Sequence, residues 1–307
     1  MRLLLDKNTT YDEQILYLKE LNGEYNDFVI FHCYWNGNLN EKHLISIKSC
    51  YFFNVLNRKN KKIILWIENN VSNEYNIKIK EFCEIKTFNL ENEIKDTFLE
   101  NKEITYIGGS SGGLSEKANF YRLVLLYNYG GCWFDLDIFF LQCFEPIFNK
   151  FKNTNLVYQW ENQNYPNNAI YISLEPKNIT MKNNIEYIHN LNNGWGFQRA
   201  KLTYDISINL LVLPCAMFDS GWMDTSFSKK ERWKQIFFEE FIDDISLSSF
   251  YSGSFAYHWH NNWNSKIHPN SIIRKLENEI NSKLSQKKKG GNKYFLKNLY
   301  KIEDNHL

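Results

Sequence analysis

The chain has 307 residues, 43% of them hydrophobic and 17% aromatic. That is enough for one large α/β domain with a sizeable core, or for two small ones, and it excludes an intrinsically disordered chain. A net charge of +1 gives no general electrostatic case for nucleic acid.

Six cysteines at irregular spacing, with no C-x-x-C pair, point to free thiols and to neither a zinc site nor a disulfide framework. Residues 1–5 are too short for a signal-peptide core, and no apolar run reaches the length of about 18 residues that a membrane span needs. A soluble, cytoplasmic protein is the expectation.

In chain order, Ile15, Leu16 and Leu18 among charges predict a modest helix over 11–21. Residues 27–33 (DFVIFHC) read as a short buried strand, followed by a turn at Tyr34-Trp35-Asn36-Gly37 and a helix from about 41 to 57. A second strand spans 61–67, a weaker third 81–88, and a polar helix 91–100. The glycine-rich loop 104–114 ends in neither G-K-[ST] nor G-x-G-x-x-G, so it is read as an approach to the next helix, not as a phosphate cradle.

The stretch 115–141 organises the rest. Ala118, Tyr121, Leu125 and Tyr129 recur at helical spacing, with Ser115 placed to cap the helix and Gly130-Gly131 to end it. Cys132-Trp133-Phe134 is too short for another helix and reads as a strand that delivers Asp135 and Asp137 around Leu136. Two carboxylates where a buried strand gives out are costly unless a cation joins them, and a hard divalent ion is the natural candidate. Taken alone, a D-x-D tripeptide more often sits on a solvated turn.

Downstream, strands are predicted at 156–160 and from Asn167 to Ile172, and a strong apolar strand over 209–218 ends near Asp219. His258 and His260 flank Trp259 in 253–264 (GSFAYHWHNNWN), and two histidines at i and i+2 share one side of an extended segment. Rich in Gly, Ser and Asn, that segment has no apolar periodicity to pin it to a core. It is therefore expected to be locally unstable and to close only when ligands bind. Ile272, Ile273, Leu276, Ile280 and Leu284 predict an amphipathic helix over about 270–285, and the tail 286–307 is basic.

The run A-N-x-x-R-x-x-x-L-Y-x-Y-G-G-x-W-x-D-x-D closely resembles the DXD sugar-binding region of family 32 glycosyltransferases and their relatives, the glucosylating toxins among them. Arg122, Gly130, Gly131, Asp135 and Asp137 fall on that motif, while Trp133 replaces a Tyr and Asn119 an Asp. His32, Trp35 and Gly37 match the family's H-x-x-W-x-G opening, and His258 and Trp263 its C-terminal pattern, with Asn262 where a Ser is common. Residues 191–203 correspond loosely to the family's G-P-x-x-L-T segment.

The resemblance implies a GT-A type nucleotide-sugar transferase fold, a mixed central sheet with helices on both faces, in one domain over 1–285. That domain would comprise a nucleotide-binding half of about 25–141, an acceptor-side half of about 142–265, and the C-terminal helix. It further implies a metal-dependent transferase using a nucleoside diphosphate sugar, uridine preferred over guanosine, and a glycan or other hydroxyl acceptor, with retention to an α-linkage. Asp137, Asp135 and His258 would hold Mn²⁺ or Mg²⁺. Trp35, His32, Gly37, Trp263, Asn262, Arg122 and Asp135 would bind the nucleotide sugar, and Asp135, Asp137, Arg122 and Asn119 would form the catalytic set, with Arg122 and Asn119 on the sugar hydroxyls. The competing reading is a catalytically weak or inactive glycan- or nucleotide-binding relative, which Asn119 would permit. The basic tail would allow a weak contact with a membrane surface.

Overall fold

A computed structural model describes residues 2–5, 9–68, 73–104, 114–159, 166–190, 210–223 and 237–289. The glycine-rich loop, the 191–203 segment, the Ser115 side chain, Trp160 and most of the basic tail lie outside the described residues.

Strands β1 (Arg2–Leu3), β2 (Val29–Trp35), β3 (Lys61–Ile67), β4 (Glu84–Thr87), β5 (Gly131–Phe134), β7 (Asn155–Gln159), β8 (Pro166–Ser173) and β9 (Leu210–Leu213) form an eight-stranded sheet. Its order is β1-β9-β7-β8-β5-β2-β3-β4. The β5-β2-β3-β4 side is parallel, whereas β8 runs antiparallel to both β5 and β7. A separate antiparallel pair joins β6 (Ile138–Phe140) to β10 (Ala256–His258).

The helices are α1 (Tyr11–Lys19), α2 (Glu41–Cys50), α3 (Glu74–Ile79), α4 (Leu90–Ile94), α5 (Leu114–Tyr129), α6 (Glu145–Phe151), α7 (Ile179–Asn190) and α8 (Ile272–Lys289). Among the described residues, none is long and apolar enough to cross a membrane.

Strand β2 shows why the sheet is covered twice. Val29, Phe31 and Cys33 enter one core with residues of α1, α2 and α6, while Ile30 and Tyr34 enter a second with α5 and α7. A strand buried on both faces reads as a continuous apolar run, not as an alternation, which is how the sequence presents it. A third apolar cluster packs β6, β10 and α8 through Phe139, Tyr257, Trp259 and Ile273.

Several element limits differ from expectation. Strand β2 continues through Tyr34 and Trp35, because both pair in register with β3. The predicted 41–57 helix changes after Cys50 into a π turn, Tyr51–Val55, and Asn57 then leaves with φ +67°. The polar helix is only five residues, and the run 209–218 leaves the sheet at Leu213 for two 3-10 turns, Cys215–Met217 and Ser220–Trp222.

The largest correction concerns 253–264. Tyr257 and Trp259 are fully buried in the third cluster, and Ala256 to His258 pair with β6. Aromatic burial fixes the segment without the periodicity that its sequence lacks, and within it only Asn261 and Asn264 are exposed.

Candidate active site

Helix α5 ends because Gly130 and Gly131 adopt φ +63° and +110°. A Cβ on Gly131 would lie 2.2 Å from the Ile30 carbonyl oxygen, so the chain turns from helix into β5 directly against β2. Strand β5 then runs four residues beside β2 and β8, and the backbone N–H of Asp135 makes a last bond to the Ala169 carbonyl at 2.7 Å. A tight turn, Ile138 N–H to Asp135 C=O at 3.1 Å, starts β6 and places Asp137 one strand end away from Asp135.

The two acids face different partners. Asp135 Oδ1 accepts from Arg122 Nη2 at 2.7 Å and from Trp133 Nε1 at 2.6 Å. Burial pushes the Asp135 pKa up against the opposing pull of Arg122. Arg122 is 2% exposed and its guanidinium lies 5.0 Å over the Trp133 ring. Its Nε and Nη1 find no protein partner among the described residues, so this buried cation has donors to spare beside Asp135. Asn119 sits half-buried one turn earlier on α5.

Asp137 is buried and turns to the C-terminal segment. Its Oδ2 lies 3.0 Å from His258 Nε2 and accepts the Asn261 N–H at 2.8 Å, while its carbonyl accepts the Trp259 N–H at 3.0 Å. On the far side of the ring, His258 Nδ1 lies 2.8 Å from the Tyr158 hydroxyl and 3.6 Å from Asp219 Oδ2. Burial works to lower the His258 pKa, but the Asp137 and Asp219 carboxylates outweigh it and push it up to about 10. Burial would raise the Asp137 pKa, but His258 and the Asn261 N–H hold it below the usual carboxylate range.

Asp219, fully buried, completes the cluster. It follows the first 3-10 turn, bridges Tyr257 in the backbone, and sets Oδ1 2.9 Å from His260 Nε2, which also lies 2.8 Å from Trp222 Nε1. Ligand atoms of Asp219, His258 and His260 all fall within 4.8 Å of one another. Burial would raise the Asp219 pKa, yet the two histidines bring it below the ordinary value.

The remaining predicted residues divide. Trp35 and Trp263 do meet, with ring centroids 4.9 Å apart, and His43 lies against both, stacked on Trp263 at 4.5 Å and edge-on to Trp35 at 4.2 Å. His43 is buried and its Nδ1 accepts the Asn40 N–H at 2.9 Å, so Nε2 carries the proton; burial lowers its pKa to about 3. Lys42 Nζ donates to the Asn262 and Trp263 carbonyls, tying this end of the C-terminal segment to α2. Asn262 uses its own amide on the Trp259 carbonyl at 2.8 Å, and Gly37, with φ +124°, turns the chain beyond Trp35.

His32 does not join them. It is fully buried, its Nε2 lies 3.0 Å from the Gly130 carbonyl, and its Nδ1 accepts from Trp66 Nε1 at 3.1 Å. Burial lowers its pKa to about 4. With both ring nitrogens spent on the frame of α5 and β3, His32 has none to offer a nucleotide, and the sequence expectation for it is corrected.

Asp219 and Tyr158 were not among the expected site residues, and His260, noted beside His258, was given no role. For Asp219 a signal existed, a carboxylate at the end of an apolar run, which is the argument that singled out Asp135. Nothing local marks Tyr158, whose place depends on the strand order.

Residues 57–154 match the family described as a glycosyltransferase sugar-binding region containing a DXD motif. No curated protein sequence is significantly similar to the chain. Among solved structures, the PaToxG glycosyltransferase is 13% identical over 64% of this chain and 76% of its own, with a TM-score of 0.41. An active-site mutant of LgtC is 8% identical over 83% and 96%, with a TM-score of 0.47. Mouse xyloside xylosyltransferase 1 is 10% identical over 78% and 99%, at 0.44. Residues 57–154 of the chain thus match the DXD-type sugar-binding region of a glycosyltransferase family, on a mixed α/β fold.

Proposed function

We propose that the protein is a metal-dependent glycosyltransferase that moves a sugar from a nucleoside diphosphate sugar, a uridine diphosphate sugar first, to a glycan or other hydroxyl acceptor with retention of configuration. The observation that carries this reading is the divergence of two neighbouring acids, Asp135 onto Arg122 of α5 and Asp137 onto His258 of β10. Such a division suits one acid for the sugar and ribose side and the other for a cation.

The donor set fits a hard divalent ion. Asp137 and Asp219 are buried carboxylates on either side of one imidazole, and together they push its pKa up. A centre that gathers positive charge this way is chemically ready for Mn²⁺ or Mg²⁺, and an imidazole ligand tilts the choice to Mn²⁺. Asp137 and His258 would hold the ion, with Asp135 at its edge, and the ion supplies charge neutralisation for the departing diphosphate.

The chain's own groups do the rest. Arg122, with free donors in a dry setting, holds sugar hydroxyls and anchors Asp135. Trp35 and Trp263 offer aromatic surface for the base.

Asn119, in place of the family's acid, favours a second reading, a binding protein without turnover. The test is a panel of nucleotide sugars with Mn²⁺, reading release of the nucleoside diphosphate, alongside Mn²⁺-dependent nucleotide binding. Release from one donor supports the transferase, and binding without release supports the second reading. Neither binding nor release would overturn both.

A further inference from the structure

We infer that Asp219 is a positioning residue for the metal-facing histidine: through Tyr158 it fixes the His258 ring so that Nε2 is directed at Asp137. This rests on the reading of Asp137 and His258 as the cation pair. A ring nitrogen that ligates a metal must present its lone pair, so the proton has to sit on the other nitrogen, and an acceptor there selects that tautomer.

The structure supplies that acceptor as a short chain. His258 Nδ1–H donates to Tyr158 Oη at 2.8 Å, and the Tyr158 hydroxyl donates to Asp219 Oδ2 at 3.3 Å. All three groups are buried, so water does not compete for these bonds.

Asp219 is itself held in place. Its backbone bridges Tyr257, the residue before His258, so carboxylate and imidazole leave two backbone segments that are tied together. Its second oxygen lies 2.9 Å from His260 Nε2, and the two histidine rings stack at 3.9 Å. One buried carboxylate thus stands behind the His258 imidazole while Asp137 meets it from the front.

The test measures Mn²⁺ affinity by electron paramagnetic resonance without donor, so that it does not depend on turnover. It compares wild type with Asp219→Asn, Asp219→Glu, Tyr158→Phe, Asp137→Ala and His258→Ala. Asp219→Asn should weaken Mn²⁺ binding by about 10- to 100-fold, the range seen for partners behind a ligating histidine, and Asp219→Glu should recover part of it. Nitrogen-15 imidazole spectra with Mg²⁺ should show His258 protonated at Nδ1 in wild type and a mixture of tautomers in Asp219→Asn.

Tyr158→Phe, which removes one oxygen and keeps the ring, serves if Asp219→Asn does not fold; it too should weaken Mn²⁺ binding severalfold. Wild-type affinity in Asp219→Asn or in Tyr158→Phe, with binding lost in Asp137→Ala and His258→Ala, would overturn the role of Asp219 and leave the metal pair standing. Wild-type affinity in all the variants would instead remove the metal reading, and this inference with it.

Discussion

Asp137→Ala tests the central pair through stability, before any chemistry. On sequence grounds Asp137 belongs to a strand end, where its removal would leave the fold intact. In the structure it is 3% exposed and is the nearest counter-charge to a buried histidine. Raising the His258 pKa from 6.5 to about 10 is worth about 4–5 kcal/mol by linkage at about 1.4 kcal/mol per unit.

That energy is shared between Asp137 at 3.0 Å and Asp219 at 3.6 Å. With the larger part assigned to the nearer acid, the variant should lose about 3 kcal/mol, within the range for breaking a buried pair. The sign follows from the raised pKa: the contribution is complete below about pH 6.5 and disappears as pH climbs toward 10. Urea unfolding in EDTA from pH 6 to pH 10 should therefore show wild type and Asp137→Ala well separated at the acid end and converging at the alkaline end. Parallel curves, or a gap under about 1 kcal/mol at pH 6, would refute the charged pair.

Gly131→Ala should be far worse than an ordinary surface change. It combines φ +110° with a methyl 2.2 Å from the Ile30 oxygen, so a loss of at least about 3 kcal/mol in urea midpoint or soluble yield is expected. A near-wild-type midpoint would mean that β5 does not press on β2 as described. In hydrogen exchange without ligand, the Trp259 amide should be strongly protected by its bond to the Asp137 carbonyl. Adding Mn²⁺ with uridine diphosphate should alter mainly Asn261 to Asn264. Rapid exchange at Trp259 before ligand is added would restore the view of 253–264 as a segment that docks only on binding.

What the sequence determined by itself was local. Apolar spacing from 115 to 129, the glycine pair and the short strand beyond them located α5, β5 and the two acids, because each rests on helical period, left-handed glycine and strand length. The apolar runs of β2 and β3 likewise announced strands, β2 as a buried one. What only the tertiary structure decided was partnership across the chain. His258 was recognisable as a candidate ligand, but its attachment to Asp137 depends on β10 pairing with β6 across more than a hundred residues. Tyr158 and Asp219 reach the same ring only because β7 lies between β8 and β9 and because the run 209–218 leaves the sheet at Leu213.

His32 shows the same limit from the other side. Its match to a motif could not reveal that Trp66 and Gly130 already occupy both its nitrogens. Periodicity records which face of an element is buried. Which polar atoms meet there is set by strand order and register, and those are fixed only when the whole sheet assembles.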